Sequence, residues 1–192
     1  MFITIKNFFL FFCFYFFVEP IFNDYFLVPH KKEYIKNPHA REKKKCILCS
    51  IRDRDKDVPS FEVYRGNGFI IVLNLFPYTS GHGLIFPEKH VEKFEELSLE
   101  EVIELNRKIR QYMKLLNIVQ SPKGYNVGFN EGYDAGGSIR HFHVHVVPRY
   151  PRELNFIDVI GKTRVLLEPL EQTLKEMKKY LDVFKEDPFS EK

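Results

Sequence analysis

Three histidines spaced two residues apart stand in the segment Arg140-His141-Phe142-His143-Val144-His145-Val146-Val147-Pro148. Neutral imidazole binds transition metals and exchanges protons near neutral pH, so three of them in register can ligate, attack or shuttle. The residues between and after them are Phe and Val, with the period-two alternation of a β-strand. Such a strand projects all three rings from one face. A second chemistry lies upstream, where Cys46 and Cys49 have the C-x-x-C spacing of half a tetrahedral metal site or of a dithiol redox pair. Closing a metal site takes two more ligands, and spacing alone leaves His82, His90, His141, His143 and His145 all open for the purpose. The third feature is the stretch Glu131-Gly132-Tyr133-Asp134-Ala135-Gly136-Gly137-Ser138, directly before the histidines. Its glycines free the backbone to present N–H groups to an anion, and Ser138 and Asn130 add neutral donors. Beside such a loop one imidazole can attack phosphorus while a neighbour transfers the leaving-group proton.

The elements that must position these groups are legible from punctuation and periodicity. Phe61 to Arg65 and Phe69 to Asn74 read as strands joined by the hairpin signal Gly66-Asn67-Gly68. After a loop over Pro77 to Gly81, His82 to Pro87 reads as a third strand, with His90 just beyond it. Ser98 followed by Glu101 is a capping box. Behind it Leu99, Val102, Ile103, Leu105, Ile109, Tyr112, Met113 and Leu116 recur at helical spacing, predicting one long amphipathic helix whose apolar face packs. Ser121-Pro122-Lys123-Gly124 ends it, Tyr125 to Asn130 forms a strand, and the glycine loop leads into the histidine strand. A short apolar segment, Phe156 to Ile160, and a helix over about 167–184 follow. Without βαβ alternation or internal repeat, this order predicts an α+β fold with a largely antiparallel sheet.

Length and composition bound the rest. At 192 residues with 44% hydrophobic content, the chain is expected to form one domain with extensions. A net charge of +3, from 29 basic and 26 acidic residues, is too balanced to mark a nucleic-acid binder. Three cysteines are too few for a disulfide scaffold and suit a reducing compartment, so the cytoplasm is expected. Residues 1–22 contain an apolar run, Phe8 to Val18, too short to span a bilayer and signal-like in its core. No small-residue cleavage pattern follows, and an over-extended start is preferred to a targeting segment. No stable membrane association is expected. Residues 23–45 form a polar, basic lead-in whose run Lys43-Lys44-Lys45 reads as solvated. The core domain is expected over residues 46–165, and a C-terminal helix and tail over residues 166–192.

The stretch His141-Phe142-His143-Val144-His145-Val146-Val147 resembles the signature of the histidine triad (HIT) superfamily of nucleotide hydrolases and transferases. The resemblance runs from about Cys46 to Ile160. It takes in the early C-x-x-C, Leu73-Asn74-Leu75-Phe76-Pro77-Tyr78, Phe86-Pro87-Glu88-Lys89-His90 and Asn130 to Ser138. The segment after Asn74, the Ala135-Gly136-Gly137-Ser138 loop and Asn155-Phe156-Ile157 are most similar to the bacterial diadenosine tetraphosphate phosphorylase branch. The resemblance implies a HIT-like fold with a five-stranded, mostly antiparallel sheet, one long central helix and a C-terminal helix. It implies that His143 attacks the α-phosphorus, that His145 contacts phosphate and assists the leaving group, and that Ser138, Asn130, Gly136 and Gly137 line the phosphates. Asn74 matches a ribose-binding position, where many hydrolase members have Asp. Gly137 stands where other branches carry a glutamine, so a side-chain phosphate contact is missing. The implied metal ligands are Cys46, Cys49, His90 and His141, holding a structural zinc, with no organic cofactor. Diadenosine tetraphosphate and inorganic phosphate are the implied substrates, and a homodimer the implied assembly. Hydrolysis of dinucleoside polyphosphates or of AMP-amine conjugates, and a non-catalytic nucleotide-binding module, are the competing readings.

Overall fold

The computed structural model describes residues 46–151, 153, 168–186 and 189. The chain divides into two units, Met1–Lys44 and Lys45–Lys192, and every described residue lies in the second. The expectations for the apolar segment, the basic lead-in and the 156–160 segment therefore fall outside the described residues.

Strong strand formers bounded by turns produce the sheet. β1 (Glu62–Gly66) and β2 (Phe69–Leu73) form the expected hairpin, its turn carrying positive φ at Asn67 and Gly68. β3 (Gly83–Pro87), β4 (Gly124–Gly128) and β5 (Val144–Arg149) complete a five-stranded sheet in the order β1-β2-β3-β5-β4. All four pairings are antiparallel. The α+β, HIT-like architecture expected from the sequence is the one observed.

Two helices flank the sheet on opposite faces. α1 (Ile47–Arg52) begins at Cys46, and its Leu48 packs with Ile70, Val72, Leu84 and Phe86 on one face. α2 (Leu99–Val119) covers the other, where Leu105, Tyr112, Leu115 and Leu116 join Ile71, Ile85, Val144 and Val146 in the larger core. The capping box forms as read: Ser98 Oγ accepts from Glu101 N–H, and Glu101 Oε2 accepts from Ser98 N–H at 2.7 Å. Leu99 and Ile103 are 70% and 46% exposed, so the buried stripe is narrower than the apolar periodicity implied. Lys108 and Gln111 take buried places on it instead. The single C-terminal helix expected at 167–184 is two pieces, α3 (Leu170–Met177) and a 3₁₀ helix (Lys178–Phe184). Tyr64 stacks on Phe184 and Lys178 Nζ donates to Val63 O, fixing that end against β1.

Alternation along β5 decides where the chemistry lies. Val144 and Val146 enter the core shared with α2, so His145 between them faces away from that helix, opposite Leu84. The expected histidine strand is shorter than its sequence pattern. Only His145 lies within the ladder, because pairing with β3 stops at Ile85↔Val144. Beyond that point Pro87 has no N–H to give, and Phe142 N–H donates to Val91 O instead.

Candidate functional site

His141 and His143 are each bonded to a backbone carbonyl and His145 to another imidazole, and each partner fixes a ring tautomer. His141 is 1% exposed, and its Nε2 lies 2.9 Å from the Pro87 carbonyl, which only accepts. The proton is therefore on Nε2, and the Nδ1 lone pair faces Cys46 Sγ and Cys49 Sγ, each at 3.7 Å. His143 Nδ1 donates to the His141 carbonyl at 2.7 Å, which leaves the Nε2 lone pair as its reactive face. His145 follows with its ring centroid 5.0 Å from that of His143.

The proton order at His145 is set by a residue whose special place the sequence did not reveal. His82 is fully buried, and its Nδ1 accepts from the Tyr78 N–H at 3.0 Å, with Asn74 Nδ2 at 3.4 Å. Its Nε2 therefore carries the proton and donates to His145 Nδ1 at 3.0 Å. His145 in turn holds its own proton on Nε2, a donor four residues from the cysteine-facing nitrogen of His141. The Tyr78 ring stacks on His82 at 4.8 Å. In sequence His82 was one of five candidate ligands; its place after the Ser80-Gly81 turn, at the head of a strand, was the available signal.

Burial holds these rings neutral. His141 and His145 are each pushed down to about 4, chiefly by desolvation, with neighbouring histidines adding a smaller lowering. His143 is lowered by burial, opposed by its bond to the His141 carbonyl. A neutral imidazole with a free lone pair is what ligation and nucleophilic attack both need.

Cys46, Cys49, His90 and His141 converge at the other end of the run. One ligand atom from each lies within 4.8 Å of the other three. α1 supplies both cysteines one turn apart, with Leu48 anchoring the helix to the sheet and Arg65 Nη1 donating to the Arg52 carbonyl at 2.8 Å. His90 stands just past β3, its Nδ1 3.2 Å from Cys49 Sγ. Tetrahedral bonds of about 2.3 Å to sulfur and about 2.1 Å to nitrogen give an S···N edge of about 3.6 Å. The observed Sγ···Nδ1 separations of 3.2 to 3.7 Å match that edge, so the donor set suits a zinc-sized ion. Burial and the neighbouring Cys46 raise the Cys49 thiol, a cost that a bound cation removes.

Asn74 and the glycine loop complete the surroundings. Asn74 follows β2, and its Oδ1 accepts from the Phe76 N–H at 3.1 Å. Asn130 lies two residues past Gly128, the register partner of His145 and the end of β4. Asn130 and Ser138 are both exposed. Gly136 and Gly137 donate their N–H groups inside the loop, to Tyr133 O and Gly132 O, both at 2.9 Å. A Cβ at Gly137 would stand 2.7 Å from Gly132 O and 2.8 Å from Asn130 O, so this closed turn excludes any side chain there. Among the described residues no helix is long and apolar enough to cross a membrane.

Comparison with known proteins bears on the same segment. A Mycobacterium tuberculosis protein named AP-4-A phosphorylase is 40% identical over 118 residues, 61% of this chain and 60% of that protein's length. The matched region thus spans less than two thirds of that relative. A Schizosaccharomyces pombe asymmetrical bis(5'-nucleosyl)-tetraphosphatase is 30% identical over 97 residues, 50% of this chain and 53% of its own. The crystal structure of a Zn-bound histidine triad family protein from Mycobacterium smegmatis shares the fold. It has a TM-score of 0.59 and 23% identity, covering 73% of this chain and 94% of that one. The HIT domain family matches residues 55–152, half of the chain and the part that carries Asn74, His82, the glycine loop and all three spaced histidines, and the chain belongs to that family.

Proposed function

We propose that this chain cleaves diadenosine tetraphosphate with inorganic phosphate, yielding ATP and ADP through a nucleotidyl-histidine intermediate. The observation that carries the reading is the complementary proton order of two adjacent rings: an Nε2 lone pair on His143 beside an Nε2–H on His145. The AP-4-A phosphorylase relative supports the choice of substrate and acceptor.

In the first step the His143 Nε2 lone pair attacks the α-phosphorus. A P–N bond forms, the bridging P–O bond breaks, and the His145 Nε2–H donates a hydrogen bond to the departing oxygen as ATP leaves as an anion. Inorganic phosphate then attacks the same phosphorus, a P–O bond forms, the P–N electron pair returns to His143, and ADP leaves. His82 holds His145 in the tautomer whose Nε2–H faces the leaving group. Ser138 and Asn130 would bind phosphate oxygens through neutral donors. Gly136 and Gly137 would line the phosphates, giving N–H groups to them only on exchange of their present loop acceptors. Asn74 would meet the ribose through its side-chain amide.

Cys46, Cys49, His90 and His141 would hold a zinc ion, which when bound neutralises two thiolates and ties α1 to the segment before β5. Four protein ligands would close the site, making it structural. The protein is proposed to work in the cytoplasm. It is further proposed to pair as a homodimer, for which the sheet edge at β4, with exposed Val127 and Phe129 at its end, offers a strand to pair.

Chromatographic analysis of products with and without inorganic phosphate tests the reaction. ATP and ADP in equal amounts, formed only with phosphate, are expected. Turnover unchanged on removing phosphate would replace phosphorolysis by hydrolysis, the activity named for the fission-yeast relative.

A further inference from the structure

The turn that carries Tyr78 and leads into His82 is held from outside itself. His82 N–H donates to Thr79 O and Asn74 N–H to His82 O, which close the turn but leave the Ser80 and Gly81 carbonyls to other donors. Ser80 Oγ is buried with no hydrogen-bond partner among the described residues, so that side chain contributes nothing to holding the turn. Two tyrosine hydroxyls reach in instead. Tyr112 of α2, 0% exposed, donates to Gly81 O at 2.9 Å. Tyr150, just past β5, has its hydroxyl 3.0 Å from Ser80 O and 2.8 Å from Gln120 Oε1.

The packing around the hydroxyl of Tyr112 is equally close. Gly81 has φ +80, and a Cβ there would overlap the Gln120 and Leu116 side chains. At Gly83, on the other side of His82, an added Cβ would overlap the Tyr112 ring itself. α2 therefore lies flush against the backbone on both sides of His82, and its one polar contact with that turn is the Tyr112 hydroxyl among the bonds described above.

From this placement we propose that Tyr112, seconded by Tyr150, is a positioning residue for the reaction proposed above, acting through the turn on the proton order of His82 and His145. The inference rests on that functional reading. The route is short. Tyr112 fixes the Gly81 carbonyl, the turn aims the Tyr78 N–H at His82 Nδ1, and His82 Nε2–H then meets His145 Nδ1. If the turn drifts, His82 Nδ1 loses its donor and can take the proton. His82 then offers an Nε2 lone pair, His145 answers with Nδ1–H, and His145 Nε2 has no proton for the leaving group.

Tyr112→Phe removes the hydroxyl and keeps the ring that packs against Gly83. In the full-length protein, kcat for diadenosine tetraphosphate with phosphate should fall about tenfold, the size of one lost orienting hydrogen bond, while KM stays within about twofold. Nitrogen-15 spectra of the imidazoles should show His145 moving from a pure Nε2–H form to a mixture with Nδ1–H. A folded Tyr112→Phe protein with wild-type kcat and a wild-type His145 tautomer overturns the proposal. So does a loss of kcat with an unchanged tautomer, which would mark a purely structural role. Should Tyr112→Phe not fold, Tyr150→Phe, which disturbs the adjacent Ser80 carbonyl, is expected to shift the same tautomer signal and lower kcat about threefold; no shift overturns the proposal. If the wild-type protein does not split diadenosine tetraphosphate, the functional reading fails, and the tautomer measurement still decides the positioning role.

Discussion

His141 and His145 sit at the two ends of one short run, and their rings are used in opposite senses. At His141 a carbonyl takes the Nε2 proton and turns the Nδ1 lone pair towards two thiols. At His145 another imidazole gives a proton to Nδ1 and leaves Nε2 as a donor. The first end is sulfur-rich and gathers side chains from α1, the loop after β3 and the segment before β5. The second brings together imidazoles, amides and a tyrosine ring stacked on His82. Identical side chains thus acquire different chemistry from the single fixed backbone or ring group that claims one nitrogen. His143 stands between, bonded to the carbonyl of the residue at one end and packed against the ring at the other.

If the division holds, removing His143 should abolish chemistry and spare the metal. His143→Ala is expected to lower kcat by about 10⁴-fold, because it removes the proposed nucleophile. Metal content per chain, measured by elemental analysis, should match the wild type. A variant that kept full activity would displace His143 as nucleophile, and one that lost its metal would merge the two ends into a single site.

Disturbing the opposite end should read out first as stability. Cys49→Ser removes a buried member of the proposed ligand set, and the protein should purify with little zinc and melt about 10 °C lower, the effect of losing several kcal/mol in a domain of this size. Activity should fall only as far as the His141 carbonyl shifts beneath His143. A zinc-free wild-type protein with an unchanged melting temperature would remove the structural metal from the proposal.

His82 offers a finer cut. His82→Ala deletes the donor to His145 Nδ1 and should lower kcat about 30-fold, with zinc content unchanged. His82→Gln, which keeps a side-chain N–H, should recover part of that loss. If both variants lose zinc rather than rate, His82 belongs with the metal end and the separation drawn here is wrong.

What the sequence made legible follows the range of the interactions involved. The Ser98–Glu101 capping box and the Gly66-Asn67-Gly68 turn are decided within four residues, and both appear as read. Period-two alternation put the histidines on one face of the strand, and Val144 and Val146 beside His145 do fill the core. It could not show that the ladder stops before His143, since that depends on Pro87 across the sheet. C-x-x-C spacing announced two thiols without naming their histidines, because the choice is made by the β3–β5 register, which sets His141 beside the Pro87 carbonyl and leaves His90 within reach. His82 was hidden for a related reason: its place after the Ser80-Gly81 turn marks it only weakly, and its meaning comes from His145, 63 residues away. The glycine loop was read as a set of amides open to an anion, whereas two of them are engaged within the loop.

The smallest effect expected is an absence of change in mild acid, and it tests the imidazole end alone. His145 is held at about 4 by burial, against about 6.5 for an exposed histidine. At pH 5.5 an exposed ring would be about 90% protonated, and one at about 4 only about 3%. Lowering the pH from 7 to 5.5 should therefore change kcat/KM less than about twofold, with the acid limb appearing nearer 4 to 5. Stability runs the other way: with the folded value below the unfolded one, the unfolded chain binds the extra proton between about pH 6.5 and 4. The contribution of His145 to folding is thus complete above about 6.5 and is lost as the pH falls to about 4. Melting temperature should decline through a range in which the rate per folded molecule does not. An acid limb in kcat/KM centred at 6.5 would mean that His145 is hydrated and charged like a surface histidine, and the contrast between the two ends of the run would then rest on the metal ligands alone.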